Sequence, residues 1–224
     1  MHSHERSNRA AGRPLKITLV IVLVVMVAEG VGGILSNSLA LISDAGHMLT
    51  DALALALSLF AFTLARRPPT PTRTYGYHRA EIMAALANGA ILILVSAYIF
   101  YEAYQRFFDI PVIDTTLMLV TAGVGLAANL VGIVVLRKPS RSNLNVKAVF
   151  WHVIGDTLSS VGVIIAGIII LFTGWYVVDP ILAVVIGCII LWGAFRIVRE
   201  AADILLESVP GHIRIEEVNE AVKN

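Results

Sequence analysis

Cysteine is nearly absent from this chain. Cys188 stands alone, which excludes an intrachain disulfide and any metal site built from several thiolates; lying in an apolar run, it reads as a packing residue. Charge is scarce as well: 15% of the 224 residues are Asp, Glu, Lys or Arg, and the net charge is +1. No broad basic field exists to hold nucleic acid, so the few charges matter by position. No small-x-small cleavage site follows the polar residues 1–14 at the distance of a secretory leader, and the first apolar run is therefore expected to be a retained span. The His-Glu-x-x-His arrangement of zinc hydrolases does not occur either, which removes the most direct route to a membrane metalloenzyme.

What the chain has in abundance is apolar length. Hydrophobic residues make up 57% of it and the mean hydropathy is +0.80, far outside the range of water-soluble domains. Runs of spanning length fall at about residues 15–35, 39–65, 82–108, 115–136, 146–172 and 177–198, each near or above the ~20 residues a bilayer requires. The expected fold is an all-α membrane protein with six transmembrane helices. Of 17 Lys and Arg, only Arg106 lies near an odd-numbered connection, so the positive-inside rule puts the N- and C-termini in the cytoplasm. Trp175 and Tyr176 fit an outer aromatic belt. The division expected is a cytoplasmic N-terminal tail (1–14), a six-helix transport domain (15–204) and the start of a truncated cytoplasmic domain (205–224). The second connection, rich in Pro and Arg over residues 66–73, reads as an extended linker rather than a helix.

Two segments within the spans carry the chemistry. His47-Met-Leu-Thr-Asp51 lies in the second run and His152-Val-Ile-Gly-Asp156 in the fifth. A helix places residues i and i+4 on one face, so each segment offers an imidazole beside a carboxylate. Ionisable groups inside a bilayer are costly and mark functional sites by default. Two His and two Asp suit a tetrahedral, borderline divalent ion such as zinc better than calcium or magnesium, which require more oxygen ligands. The second span runs inward and the fifth outward, so the pairs would meet antiparallel, with His47 level with Asp156 and Asp51 level with His152. Gly155 and the nearby serines would let the two helices approach closely.

Charge bookkeeping extends this reading. A divalent ion with two ionised aspartates is formally neutral, whereas the empty site leaves two facing carboxylates that must take up protons. Metal and protons then compete, and a bundle that opens alternately to each side becomes a metal/proton exchanger. Among the other polar residues in the spans, Asp44 is either a carboxylate supporting the ligands or a proton relay, or a capping or hydrogen-bonding group near the outer vestibule. Glu29 is either proton-accessible or the partner of a polar residue on a neighbouring helix, and Asn129 is read as an interhelical hydrogen bond. A haem pocket with His47 and His152 as axial ligands would leave the paired carboxylates without a task, and a channel would need weaker capture than four such ligands give.

The run from Ser38 to Asp51, the loop Tyr75-Gly-Tyr-His-Arg-Ala-Glu81, and Asn143-Leu-Asn-Val-Lys-Ala148 leading into His152 and Asp156 together resemble the cation diffusion facilitator family, with the nearest likeness to its bacterial zinc exporters. The resemblance runs from about residue 15 to residue 220. It implies a homodimeric antiporter of the bacterial inner membrane that exports Zn(II), often with cadmium or cobalt, in exchange for protons, with zinc as cargo and no prosthetic group. Carried over by position, it makes His47, Asp51, His152 and Asp156 the transport-site ligands. In the family, a His at the first of these positions goes with zinc selectivity, and an Asp there with wider cadmium or manganese handling. The chain departs from the family pattern in three places. Residues 205–222 resemble only the entry to the family's cytoplasmic domain. Thr70, Arg73 and Tyr77 stand where some members bind a second metal, so none is expected there. The His-rich loop between the fourth and fifth spans is missing, leaving His2 and His4.

Overall fold

The computed structural model describes residues 2–65, 79–141 and 144–206. The described residues form six long helices: α1 (His2–Ser36), α2 (Leu39–Ala65), α3 (Arg79–Phe108), α4 (Thr115–Arg137), α5 (Leu144–Thr173) and α6 (Val178–Leu205), with a single 3-10 turn at Pro139–Arg141. The first five expected spans lie within one helix each, and the sixth, 177–198, falls on α6 from its cap at Val177 onward. Among the described residues, five helices contain segments long and apolar enough to cross a membrane, beginning with Leu15–Ser36 and ending with Val178–Leu205; the chain is an all-α, multi-pass membrane protein. At the N-terminus the helix extends back to His2, so the segment expected to be a polar tail continues α1. Ala10, Ala11 and the arginines around them are good helix formers, and Pro14 removes one backbone donor without ending the helix. The basic linker, with His78 and the positions Thr70, Arg73 and Tyr77, lies outside the described residues, as do residues 207–224 and His212.

The bundle is turned inside out relative to a soluble protein. Large apolar side chains such as Val20, Val24, Val31 and Ile34 are exposed along one face of α1, while Glu29, Asp44, Asn129, Asp156 and Asp179 are buried. Surface of that kind is stable against lipid tails and would be an aggregation liability in water. Helices α3 and α6 pack along each other, α4 packs on α5, and α1 packs on both α4 and α2. α2 lies between the groups. Its first turn contributes Leu39 to a core with Leu92, Ile99, Ala183 and Ile190, and Ala40 and Leu41 to another with Met118, Ala122, Val163 and Ile170.

The turns are set by local chemistry. α1 ends on Asn37, whose φ of 60° is left-handed. Asn37 N–H donates to the Ile34 carbonyl at 3.3 Å and Ser38 N–H to the Gly33 carbonyl at 3.0 Å, the paired bonds of a Schellman stop. Gly33 also lets α2 turn back at once, because a Cβ there would come within 2.9 Å of Ile42 N. α4 begins under an Asp114 side-chain cap on Leu117 N–H at 3.0 Å, and Asp114 N–H donates to the Ser36 carbonyl at 3.0 Å.

Candidate metal site

α2 presents His47 and Asp51 one turn apart, and α5 does the same with His152 and Asp156, as the i, i+4 spacing requires. The two pairs meet. His47 Nε2 is 3.6 Å from Asp51 Oδ2, His152 Nε2 is 3.4 Å from that same Asp51 oxygen, and His152 Nε2 is 3.7 Å from Asp156 Oδ2. The imidazoles lie edge to face with ring centroids 6.4 Å apart. Asp51 therefore lies between the two histidines, and the expected level of Asp51 with His152 is found; His47 packs against the His152 ring.

The environment is strongly polarised. Asp156 is buried, while His47, Asp51 and His152 are each about a third exposed. His47 Nδ1, Asp51 Oδ2 and Asp156 Oδ2 are buried atoms that meet no hydrogen-bond partner among the described residues. Unmet groups of this kind are expensive inside a protein. Among the described residues, no three His, Cys, Asp or Glu side chains close around a single point as a complete metal shell; the four side chains form an open cluster. A cavity of about 600 Å³ adjoins them, lined by His47, His152, Asp156 and Ser159 at its polar end and by Trp151, Leu158, Leu182, Val185 and Ile189 along its apolar walls. Gly155 faces this space with nothing within 4 Å of where its Cβ would be. Of Gly155 and the serines expected to let α2 and α5 approach, Ser159 makes the contact, its Oγ donating to Asp44 Oδ1 at 2.7 Å, whereas Gly155 borders the cavity instead.

Asn129 bridges α4 to α5 as expected, through a long 3.5 Å bond from Nδ2 to Ser160 Oγ. Sequence reasoning passed over Asp179. Fully buried at the start of α6, its carboxylate accepts from Ser38 Oγ at 2.6 Å, Leu39 N–H at 2.7 Å and Ala40 N–H at 3.3 Å. Arg106 of α3 closes the same knot, donating to the Asn37 carbonyl at 2.6 Å and lying 3.9 Å from Asp179. The available signal was Asp179-Pro180 opening an apolar run beside a Ser-Asn-Ser turn that has donors to spare.

A helical membrane bundle with His and Asp pairs facing each other across two helices is the architecture of a metal-ion transporter. Residues 15–206 match the cation efflux transmembrane domain. The chain is 43% identical over 222 residues to the zinc transporter ZitB of Pectobacterium atrosepticum, covering 99% of this chain and 69% of that protein. It is 44% identical over 221 residues to the metal cation efflux system protein CzcD of Cupriavidus metallidurans, covering 99% and 69%, and 40% identical over 217 residues to the cadmium, cobalt and zinc/H(+)-K(+) antiporter of Bacillus subtilis, covering 96% and 70%. The chain belongs to the cation diffusion facilitator family, whose members are secondary transporters and not enzymes. As a multi-pass membrane protein it is consistent with the inner membrane of bacteria, the source of each relative named here.

Proposed function

We propose that the chain is a zinc/proton antiporter that exports Zn(II) from the cytoplasm, with His47, Asp51, His152 and Asp156 as the transport ligands. The observation that carries this reading is Asp51 Oδ2, which faces both imidazoles at 3.4 and 3.6 Å. Ligands about 2.0–2.2 Å from a tetrahedral zinc lie about 3.3–3.6 Å from one another, so a small inward movement would let these donors take the ion. The names of the relatives, which include zinc, cadmium and cobalt, support a borderline divalent cargo. On this reading all six helices cross the bilayer, both termini are cytoplasmic, residues 15–204 form the transport domain, and the working unit is a homodimer.

The mechanism follows from charge. Two ionised aspartates neutralise Zn(II) and make its residence in low dielectric tolerable. When the ion leaves, the same carboxylates and imidazoles take protons, so a cycle that alternates between metal and protons never exposes an uncompensated cluster to the apolar interior. Alternating access requires the α2–α5 contact to open toward each side in turn. The test is zinc uptake into sealed inverted vesicles under an imposed pH gradient, comparing the native chain with Asp51→Ala and Asp156→Ala. Gradient-driven uptake that either substitution abolishes is the expected result; uptake insensitive to both would overturn the assignment.

A further inference from the structure

A second group of acids lies behind the first, and the exchange cycle above does not use it. Glu29, about two turns before the end of α1, is about 1% exposed. Its carboxyl neighbours that of Asp44 on α2, and its Oε2 meets no donor among the described residues. Two buried carboxyls side by side are tolerated only with a proton on one of them, which then bonds the pair. The site is shaped around the acid. Gly125 of α4 lies so close that a Cβ there would collide with Glu29 Oε1. Asp44 is committed on its other side to Ser159 Oγ of α5, which leaves Glu29 as the proton donor of the pair.

The surroundings set what this proton responds to. From α2 the groups acting on the pair are Asp44 itself and His47; from α5 they are Ser159 and Asp156; none is a lysine or arginine. From α4 the pair meets Gly125, and the buried polar residues nearby on that helix, Thr121 and Asn129, do not titrate. No lysine or arginine among the described groups acts on the pair, so a divalent ion arriving at Asp156 and His47 brings a larger positive charge than a protonated His47 does, and its field favours loss of the proton. We infer that Glu29 is a proton-binding site separate from the metal ligands, holding a proton against Asp44 when the transport site is empty and yielding it when metal binds. This rests on the proposed metal/proton exchange and adds a proton that does not compete for a metal ligand. The line Glu29–Asp44–Ser159 joins α1, α2 and α5, so the proton also bonds α1 to the helices that carry the ligands.

The experiment uses the purified full chain in lipid nanodiscs, with zinc as the probe. Infrared difference spectra are recorded with and without zinc, and proton release is counted in weakly buffered solution, for the native chain, Glu29→Gln and Glu29→Asp. The expected result is a neutral-carboxyl band in the zinc-free native chain that zinc removes. Glu29→Gln should lose the component of that band that Glu29 contributes while keeping what the protonated ligand carboxyls give, bind zinc with unchanged stoichiometry and release about one proton fewer per zinc, and Glu29→Asp should restore the release at least in part. A native chain with no such band, or a Glu29→Gln protein with the native band and proton count, overturns the proposal. The zinc-free band needs no variant to fold and no metal to bind. It is therefore read even where His47→Ala shows that the metal reading itself has failed.

Discussion

Asp179 of α6 caps the first turn of α2 through Ser38, 141 positions earlier in the chain. The first backbone donors of a helix have no partner within it, and here an acid from a different helix supplies one for Leu39 and Ala40. Replacing Asp179 with Asn keeps the shape but sets an amide N–H against those donors. The loss of buried, charge-assisted bonds is expected to cost about 2–4 kcal/mol, read as a lower unfolding temperature in detergent. Asp109→Asn, at an exposed position, should leave that temperature unchanged. Equal behaviour of the two variants would refute the cap's role.

Asp51 touches both imidazoles, whereas Asp156 is joined to His152 alone by ion-pair geometry. Asp51→Ala is therefore expected to weaken zinc binding by about 100-fold or more, measured by calorimetry on purified protein. Asp51→Asn, which keeps an oxygen donor but removes the charge, should bind more tightly than Asp51→Ala and more weakly than the native chain.

Gly33 and Gly123 give opposite expectations for the same substitution. A Cβ at Gly33 would meet the backbone nitrogen of Ile42 at 2.9 Å, while at Gly123 it would meet nothing within 4 Å. Gly33→Ala should push α1 from α2 and destabilise by about 1–3 kcal/mol; Gly123→Ala should be neutral or stabilise by up to about 1 kcal/mol through helix propensity. Paired thermal unfolding curves decide it, and a destabilised Gly123→Ala would count against the packing described.

The Asn129–Ser160 bond is long, at 3.5 Å. Removing it with Ser160→Ala should cost no more than about 0.6 kcal/mol, the scale of an average interhelical hydrogen bond in a membrane. Ser160 Oγ also donates to the Asp156 carbonyl within α5 at 3.0 Å, so a larger loss would show that this second bond contributes as well.

The long apolar helices were legible because a bilayer demands about 20 apolar residues in a row and little else; the observed α2 runs over Leu39–Ala65, the bounds of its apolar run. The two His/Asp pairs were legible because the spacing of four is local and the helix period turns it into a shared face. What the sequence could not reveal depends on how the helices are rotated about their own axes. Glu29 was visible as a lone acid in a span, but its contact with Asp44 requires α1 to turn that face to α2. Asp179 looked like an ordinary acid in a helix's first turn, and the spare donors of the Ser-Asn-Ser turn some 140 residues away did not by themselves single it out as their partner. Gly155 invited the opposite error. Small residues at a helix contact and small residues lining a cavity are written with the same letter.

The Asp179 knot, joined by Arg106 at Asn37, makes the start of α2 a fulcrum. At about 1.5 Å of rise per residue, His47 lies about 13 Å from Ser38 and Asp51 about 20 Å. A tilt of about 10° around the pinned end would sweep Asp51 through about 3 Å and His47 through about 2 Å. The travel of Asp51 exceeds the length of a metal–ligand bond, about 2 Å, and that of His47 matches it, while Asp44, about 9 Å out, would shift by about half as much as Asp51. A lever of these proportions can release a cargo ion at its far end while the acid near its pivot keeps hold of α1.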